Sequence, residues 1–222
     1  MGMLNLNVNA NVSRKEGETM IPLNPDTLTG RENYKLLSGS IIPRPVAFVT
    51  TLSSEGVLNG APFSYFSIVA SEPPLLSVSV QRVDGVSKDT ARNAMEQKAF
   101  VVHITDEDNV GAVNVTASRL SPEESEITLA GLTPIKSTKI AVPGVVEAKI
   151  RMECVLEQTI PLGGTEGAPA CDLLIGRVVQ YHLSEEAYQN TYIIAKELRP
   201  VSRLAGNDYA KLGEQFRLER PQ

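Results

Sequence analysis

Apolar positions along the chain fall in short runs broken by Gly, Pro and hydroxyl residues, not in long helical stripes. Pro43 and Pro45 forbid a helix, so Val46-Ala-Phe-Val-Thr-Thr51 reads as a buried strand. The turn Ser53-Ser-Glu-Gly56 returns it as a hairpin through Val57 and Leu58 into Asn59-Gly-Ala-Pro62. Ser64–Ile68 leads to the rigid break Ser71-Glu-Pro-Pro74, and Leu75–Val80 follows as a strand of partly alternating character. Phe100–Ile104 is a further strand. Val145–Leu156 and Asp172–Leu183 read as two longer ones, separated by the Gly/Pro-rich insertion Pro161–Ala170.

Helical spacing is confined to three segments. Asp26–Ser38 is expected to start at Asp26 or Thr27, and Thr90–Lys98, with Ala91, Ala94 and Met95 on one face, at Ser87 or Asp89. Asp106–Leu120 carries an Ala/Val face, and Ser121–Pro143 reads as loop. Roughly six or seven strands without regular intervening helices disfavour a doubly wound parallel sheet. The expected fold is mainly β with short helices, a closed antiparallel barrel of Greek-key type. The Asn-rich residues 1–20 read as a mobile arm, and 21–222 as one domain.

Charge narrows the partners. With 21 Lys and Arg against 26 Asp and Glu, the net charge is −5, which leaves no basic excess for nucleic acid. The apolar runs are too short to cross a bilayer, and no secretory leader is visible, so a cytoplasmic location is the expectation. Cys154 and Cys171 are too few for a disulfide framework, and with His103 and His182 they do not form a zinc-ligand pattern. Each histidine reads as structural or surface, and Cys154 as an inert core thiol. No P-loop, dinucleotide fingerprint or nucleophile elbow occurs; Gly163, Gly164 and Gly167 have the spacing of a hairpin tip. Chemistry in such a chain is left to a cofactor.

Two segments have the composition of a site. In Asn59-Gly-Ala-Pro-Phe-Ser64-Tyr-Phe-Ser67, small and hydroxyl residues interrupt an apolar stretch. Gly60, Ala61 and Pro62 let a flat ring approach the backbone, while Asn59, Ser64 and Ser67 offer hydrogen bonds to its polar edge; a barrel corner is the plainer alternative. Ser87-Lys-Asp-Thr90 opens a helix with two hydroxyls, an ammonium and backbone N–H groups, a receptor for one phosphate. Its plainer alternative is an ordinary capping box. A phosphate site beside a ring site, without a dinucleotide motif, fits a mononucleotide such as FMN.

From about Tyr34 to Tyr209 the chain resembles the flavin reductase-like family of FMN-binding split-barrel proteins. The resemblance rests on ordered pieces: Tyr34–Val46, Val49–Thr51, Asn59–Phe66, Pro73-Pro74, Lys88–Thr90 with Asn93, Phe100–Val102, Ala130–Thr133, Glu153-Cys154, Ile175-Gly176 and Arg199–Gly206. Phe48, His103 and Ala205 depart from it, standing where Trp, Asn and Gly are common. It implies a split-barrel homodimer with noncovalent FMN near the subunit interface. Its ring would lie against Asn59, Ala61, Pro62, Phe63, Ser64 and Ser67, and its phosphate near Ser87, Lys88, Asp89 and Thr90. Arg44 would be a further contact, and Tyr209 would close over the site. The implied activity is hydride transfer from NADH or NADPH to the flavin, then to free flavin, a ferric chelate or an oxygenase or redox partner. An FMN-binding electron carrier without its own nicotinamide turnover is the alternative. No catalytic acid or base is nominated.

Overall fold

The computed structural model describes residues 20–221; the expected arm, residues 1–20, lies outside them except for Met20. Seven strands form one antiparallel sheet in the order β3-β2-β6-β9-β10-β5-β4. With strands numbered in chain order, these are β2 (Ala47–Leu52), β3 (Leu58–Phe63), β4 (Phe66–Ser71), β5 (Pro74–Gln81), β6 (Ala99–Ile104), β9 (Ile150–Leu162) and β10 (Cys171–Leu183). A second sheet joins β1 (Arg44–Pro45), β13 (Val201–Arg203) and β14 (Tyr209–Lys211). Two small ribbons pair β7 (Pro134–Ile135) with β8 (Gly144–Val145) and β11 (Tyr188–Gln189) with β12 (Tyr192–Ile193). The helices are α1 (Gly30–Ser40), α2 (Asp89–Gln97), α3 (Val110–Val115), α4 (Glu126–Leu129) and α5 (Ala195–Leu198).

The mainly β class and the hairpin β2–β3 agree with the sequence reading. Thr51 lies opposite Asn59, and Thr50 opposite Gly60. Full closure of the barrel is not seen as a ladder: among the described residues the sheet's paired order ends at β3 and β4. Those two edge strands are nevertheless consecutive, joined by Ser64 and Tyr65 alone, so the sheet curls until its edges meet at one corner.

Both faces of β2 and β6 are buried, which explains their unbroken apolar sequences. Ala47, Val49, Phe100 and Val102 enter the main core with Val78, Leu174 and Ala91. Phe48 faces the other way, against Val113, Ile127, Leu132 and Val145, while Val101 packs on Val142. The segment read as loop, Ser121–Pro143, thus supplies a second layer over the outer face of the sheet. It reads as loop because its few apolar side chains are spaced by contact with the sheet and not by a local period.

Element boundaries shift where tertiary contacts decide them. The first helix starts at Gly30 and is capped by Thr29 in a reciprocal box with Glu32, not at Asp26 or Thr27, because Pro25–Thr27 forms a 3-10 turn instead. The helix expected over Asp106–Leu120 shrinks to α3, because Asp106 accepts from the Asp108 and Asn109 N–H groups and holds a turn. The strand expected over Val145–Leu156 runs instead from Ile150 to Leu162, paired with β10 from end to end with two register shifts.

His103 is wholly buried, its Nδ1 2.9 Å from the Phe48 carbonyl and its Nε2 accepting the Val145 N–H at 3.0 Å. Burial depresses its pKa to about 3, so it is a neutral strut in agreement with the structural reading. Cys154 is buried and its thiol pKa is raised by burial. Beside it on β9, Glu153 is 1% exposed and accepts from the Thr138 and Lys139 N–H groups, each at 2.7 Å, from the Thr138 hydroxyl at 3.1 Å, and lies 2.6 Å from His182 Nε2. Burial alone would raise its carboxyl, but these hydrogen bonds outweigh burial and bring it to about 2.

The Glu153 contribution to stability is therefore complete above the ordinary carboxylate pKa of 4.5 and is lost as pH falls toward 2. Glu153→Gln is expected to lower unfolding stability by about 2–3 kcal/mol at neutral pH. Urea titrations at a series of pH values should show the gap from wild type closing below about pH 4.

Candidate functional site

The hairpin β2–β3, the start of α2 and the short helix α4 converge on the carboxamide of Asn59. Its Oδ1 accepts from the Thr51 hydroxyl at 3.2 Å and the Thr90 hydroxyl at 3.1 Å, and its Nδ2 donates to Glu126 Oε2 at 2.9 Å. The same Glu126 oxygen accepts the Gly60 N–H at 3.3 Å. Asn59, Thr90 and Glu126 are all buried. A side chain at Gly60 would strike Ile127 at 2.5 Å and Phe48 at 2.9 Å, so glycine here is what lets α4 close on β3.

A cleft of about 360 Å³ opens beside this cluster, walled by Asn59, Ala61, Pro62, Phe63, Lys88, Asp89, Thr90 and Glu126 on one side and Thr116–Leu120 on the other. The start of α2 has no side-chain cap. The capping-box alternative therefore fails: Ser87 donates instead to Asp172 Oδ2 at 2.8 Å, and Thr90 to Asn59. Asp172 is almost wholly buried and also holds the Arg82 guanidinium through both oxygens, which pins the loop leading into α2. The first N–H groups of α2 are left for a ligand.

Lys88 and Arg119 line this cleft. Among the described residues neither has a carboxylate within salt-bridge distance. Desolvation and the neighbouring Arg119 charge lower the Lys88 pKa. Two uncompensated cations beside an uncapped helix start form a receptor for an anion.

Pro62, Phe63 and Ala117 are shared with a larger hollow of about 760 Å³, which also carries Tyr34, Arg44, Ser64, Asn114, Arg203 and Tyr209. Arg203 stacks on Tyr209, its guanidinium carbon 4.6 Å from the ring centre, so the β13–β14 hairpin presents a flat, positively charged wall. Arg44 is buried and already donates to the Ser38 and Leu204 carbonyls, at 2.6 and 2.8 Å, and to Ser64 at 3.4 Å. It lies with Ser64 and Tyr209, whereas Lys88 lines the smaller cleft.

Of the residues singled out from sequence, the structure thus brings Asn59, Ala61, Pro62, Phe63, Lys88, Asp89 and Thr90 to one cleft. Arg44, Ser64 and Tyr209 come to the adjoining one. Ser87 stands behind the first, spent on Asp172. Ser67 lines neither; it is exposed in a third hollow with Tyr65, Phe66 and Ser77. Sequence reasoning passed over Arg119 and Glu126, which lie in stretches without a local motif. The one available signal was Ser118-Arg119 closing the segment read as helix.

Asn59→Ala would leave Glu126 and Thr90 without their shared partner. Loss of about 1–3 kcal/mol is expected, read as a lower thermal midpoint, with Asn59→Asp no rescue because it sets a second carboxylate against Glu126.

A family model described as flavin reductase like domain matches residues 38–201. The chain is similar to the crystal structure of nitrilotriacetate monooxygenase component B from Bacillus cereus, 65% identical over 90% of this chain and 100% of that one, with a TM-score of 0.90. It is similar to the 2-nitrobenzoate 2-nitroreductase NbaA of Pseudomonas fluorescens, 30% identical over 90% and 96% of the two chains, TM-score 0.81. A Shewanella frigidimarina protein with a split barrel domain shares the fold at 18% identity over 88% and 96%, TM-score 0.77.

Proposed function

Because the chain belongs to the flavin reductase-like family, we propose that it is an FMN-binding oxidoreductase, reduced by NADH or NADPH and passing electrons to a free flavin, a ferric chelate or a partner oxygenase. One observation carries the cofactor reading: an anion receptor built from Lys88, Arg119 and the uncapped start of α2 runs, through Pro62 and Phe63, into a broader hollow walled by tyrosine rings. That donor set fits a phosphorylated ring system, and each of the two spaces lies in the range of small-molecule sites. A flavin held there supplies the exchange of a hydride for single or paired electrons.

The protein's own task is placement. Lys88 and Arg119 neutralise the phosphate, and the α2 N–H groups donate to it. Ala61 and Pro62, being small and flat, let a ring lie against β3, and Ser64 offers a hydroxyl at its edge. Arg44 fixes the corner by tying α1 to Leu204 and Ser64. Tyr209, stacked on Arg203, limits water access from the open side.

Partner choice follows the same premise. The similarity to a monooxygenase component B supports an oxygenase as electron acceptor. Homodimer formation is supported by an apolar hollow of about 780 Å³ that includes Phe66, Ile68, Tyr181, Tyr188 and Ile193, beside the edge strand β4, where Ile68 is 77% exposed.

Purified protein is expected to carry or take up FMN, seen as flavin absorbance, and to be bleached rapidly by NADH or NADPH under anaerobic conditions. A flavin that stays oxidised until a partner is added would assign an electron carrier instead, and failure to take up FMN would remove the cofactor. Lys88→Ala should weaken FMN by more than tenfold, as for loss of a charge-assisted hydrogen bond worth about 1.5–3 kcal/mol; fluorescence titration measures it.

A further inference from the structure

Glu126 is the one acid in the smaller cleft without a cation. Asp89, also in the cleft wall, is paired with Arg92, whereas Glu126 accepts from neutral groups, the Asn59 carboxamide and the N–H of Gly60. It lies only 6% exposed between β3 and the cleft shared with Lys88 and Arg119. A carboxylate in such a place is costly, and a capping or packing role would be met as well by a neutral amide.

We propose that Glu126 is a positioning and selectivity residue: it holds Asn59, and through it Thr90 at the start of α2, while its charge opposes a phosphate held in the same cleft. The inference rests on the cofactor reading above and extends it to how tightly, and at what pH, a phosphorylated flavin is kept. The groups facing Glu126 are Asn59 and Gly60 from β3, Lys88, Asp89 and Thr90 from the start of α2, and Arg119 from the segment after α3. Burial raises the Glu126 pKa above its ordinary value, against the lowering effect of the hydrogen bonds it accepts from its own N–H, from Gly60 and from Asn59. Above that pKa the carboxylate is charged and phosphate binding is weakened. Below it the opposition is gone while the proton can still be shared within the cluster. By linkage, phosphate binding raises the Glu126 pKa in turn.

The test compares FMN with riboflavin, which lacks the phosphate, on wild type and Glu126→Gln between pH 5 and 8, by fluorescence titration. Glu126→Gln is expected to bind FMN about three- to tenfold more tightly at pH 8, the size of one screened charge interaction across a cleft. The advantage should shrink as the pH is lowered and Glu126 takes up its proton, and riboflavin should not discriminate between the proteins. Dividing each wild-type constant by that of the variant removes the phosphate's own titration. Equal weakening of both flavins at every pH would reduce Glu126 to a structural prop and overturn the proposal. Binding of riboflavin as tightly as FMN by wild type would overturn the phosphate receptor itself, a failure of the cofactor reading distinct from the first. If the variant does not fold, carbon-13 NMR of glutamate-labelled wild type decides: an upward shift of the Glu126 titration with FMN but not riboflavin supports the proposal, and no shift overturns it.

Discussion

The buried carboxamide of Asn59 is the point on which the site depends. It is the only side chain described that hydrogen-bonds to β2, α2 and α4 at once, through Thr51, Thr90 and Glu126. Each of those polar groups would be costly to bury unpaired, and the Asn59 carboxamide supplies each with a partner. That constraint sets the angle between the hairpin β2–β3 and the start of α2, and the angle sets the cleft. A second latch, Asp172 with Arg82 and Ser87, acts from behind and fixes the loop that delivers Lys88.

With the internal hydrogen bonds satisfied in this way, the charges left over become informative. Lys88 and Arg119 face the cleft without a carboxylate partner among the described residues, and the helix start beside them is uncapped. Folding would be served equally well by a capped helix and neutral side chains. A receptor left electrostatically unfinished in the folded chain is suited to an anionic ligand. The adjoining hollow differs in kind: beside Arg44 and Arg203 its walls carry the rings of Tyr34, Phe63 and Tyr209, surfaces suited to stacking. A ligand with one anionic end and one flat end uses both.

The outer layer over β2 and β6 gives the segment 105–149 a structural purpose beyond linking strands. Ile127, Leu132, Val142 and Val145 cover the face of the sheet opposite the main core. The same layer carries Glu126 and Arg119 to the cleft. Packing of the layer and assembly of the site are therefore one event, and His103, a neutral bridge between Phe48 and Val145, ties the layer down at its far side.

Local pattern was enough to read most strands, because a strand buried on both faces, such as Val46–Thr51 or Phe100–Ile104, is apolar whatever its neighbours are. The cationic, uncapped start of α2 and the small-residue stretch Asn59–Ser64 could be singled out for a similar reason: their side chains lie in adjacent residues. The cap at Thr29, the shortened α3 and the shifted β9 could not, since competing hydrogen bonds from Glu32, Asp106 and the β10 ladder chose the boundaries. Nor could sequence show that Ser87 and Thr90 spend their hydroxyls inside the protein, that Glu126 joins Asn59 from 67 positions away, or that Arg119 lines the same cleft. Those facts arise when distant segments compete for the same few hydrogen bonds. The sequence by itself determined which pieces are apolar and which gather small, hydroxyl and cationic residues; the tertiary structure alone decided which of those polar groups remain free for a ligand, because only in the packed chain is each donor already matched, or left unmatched, by an acceptor.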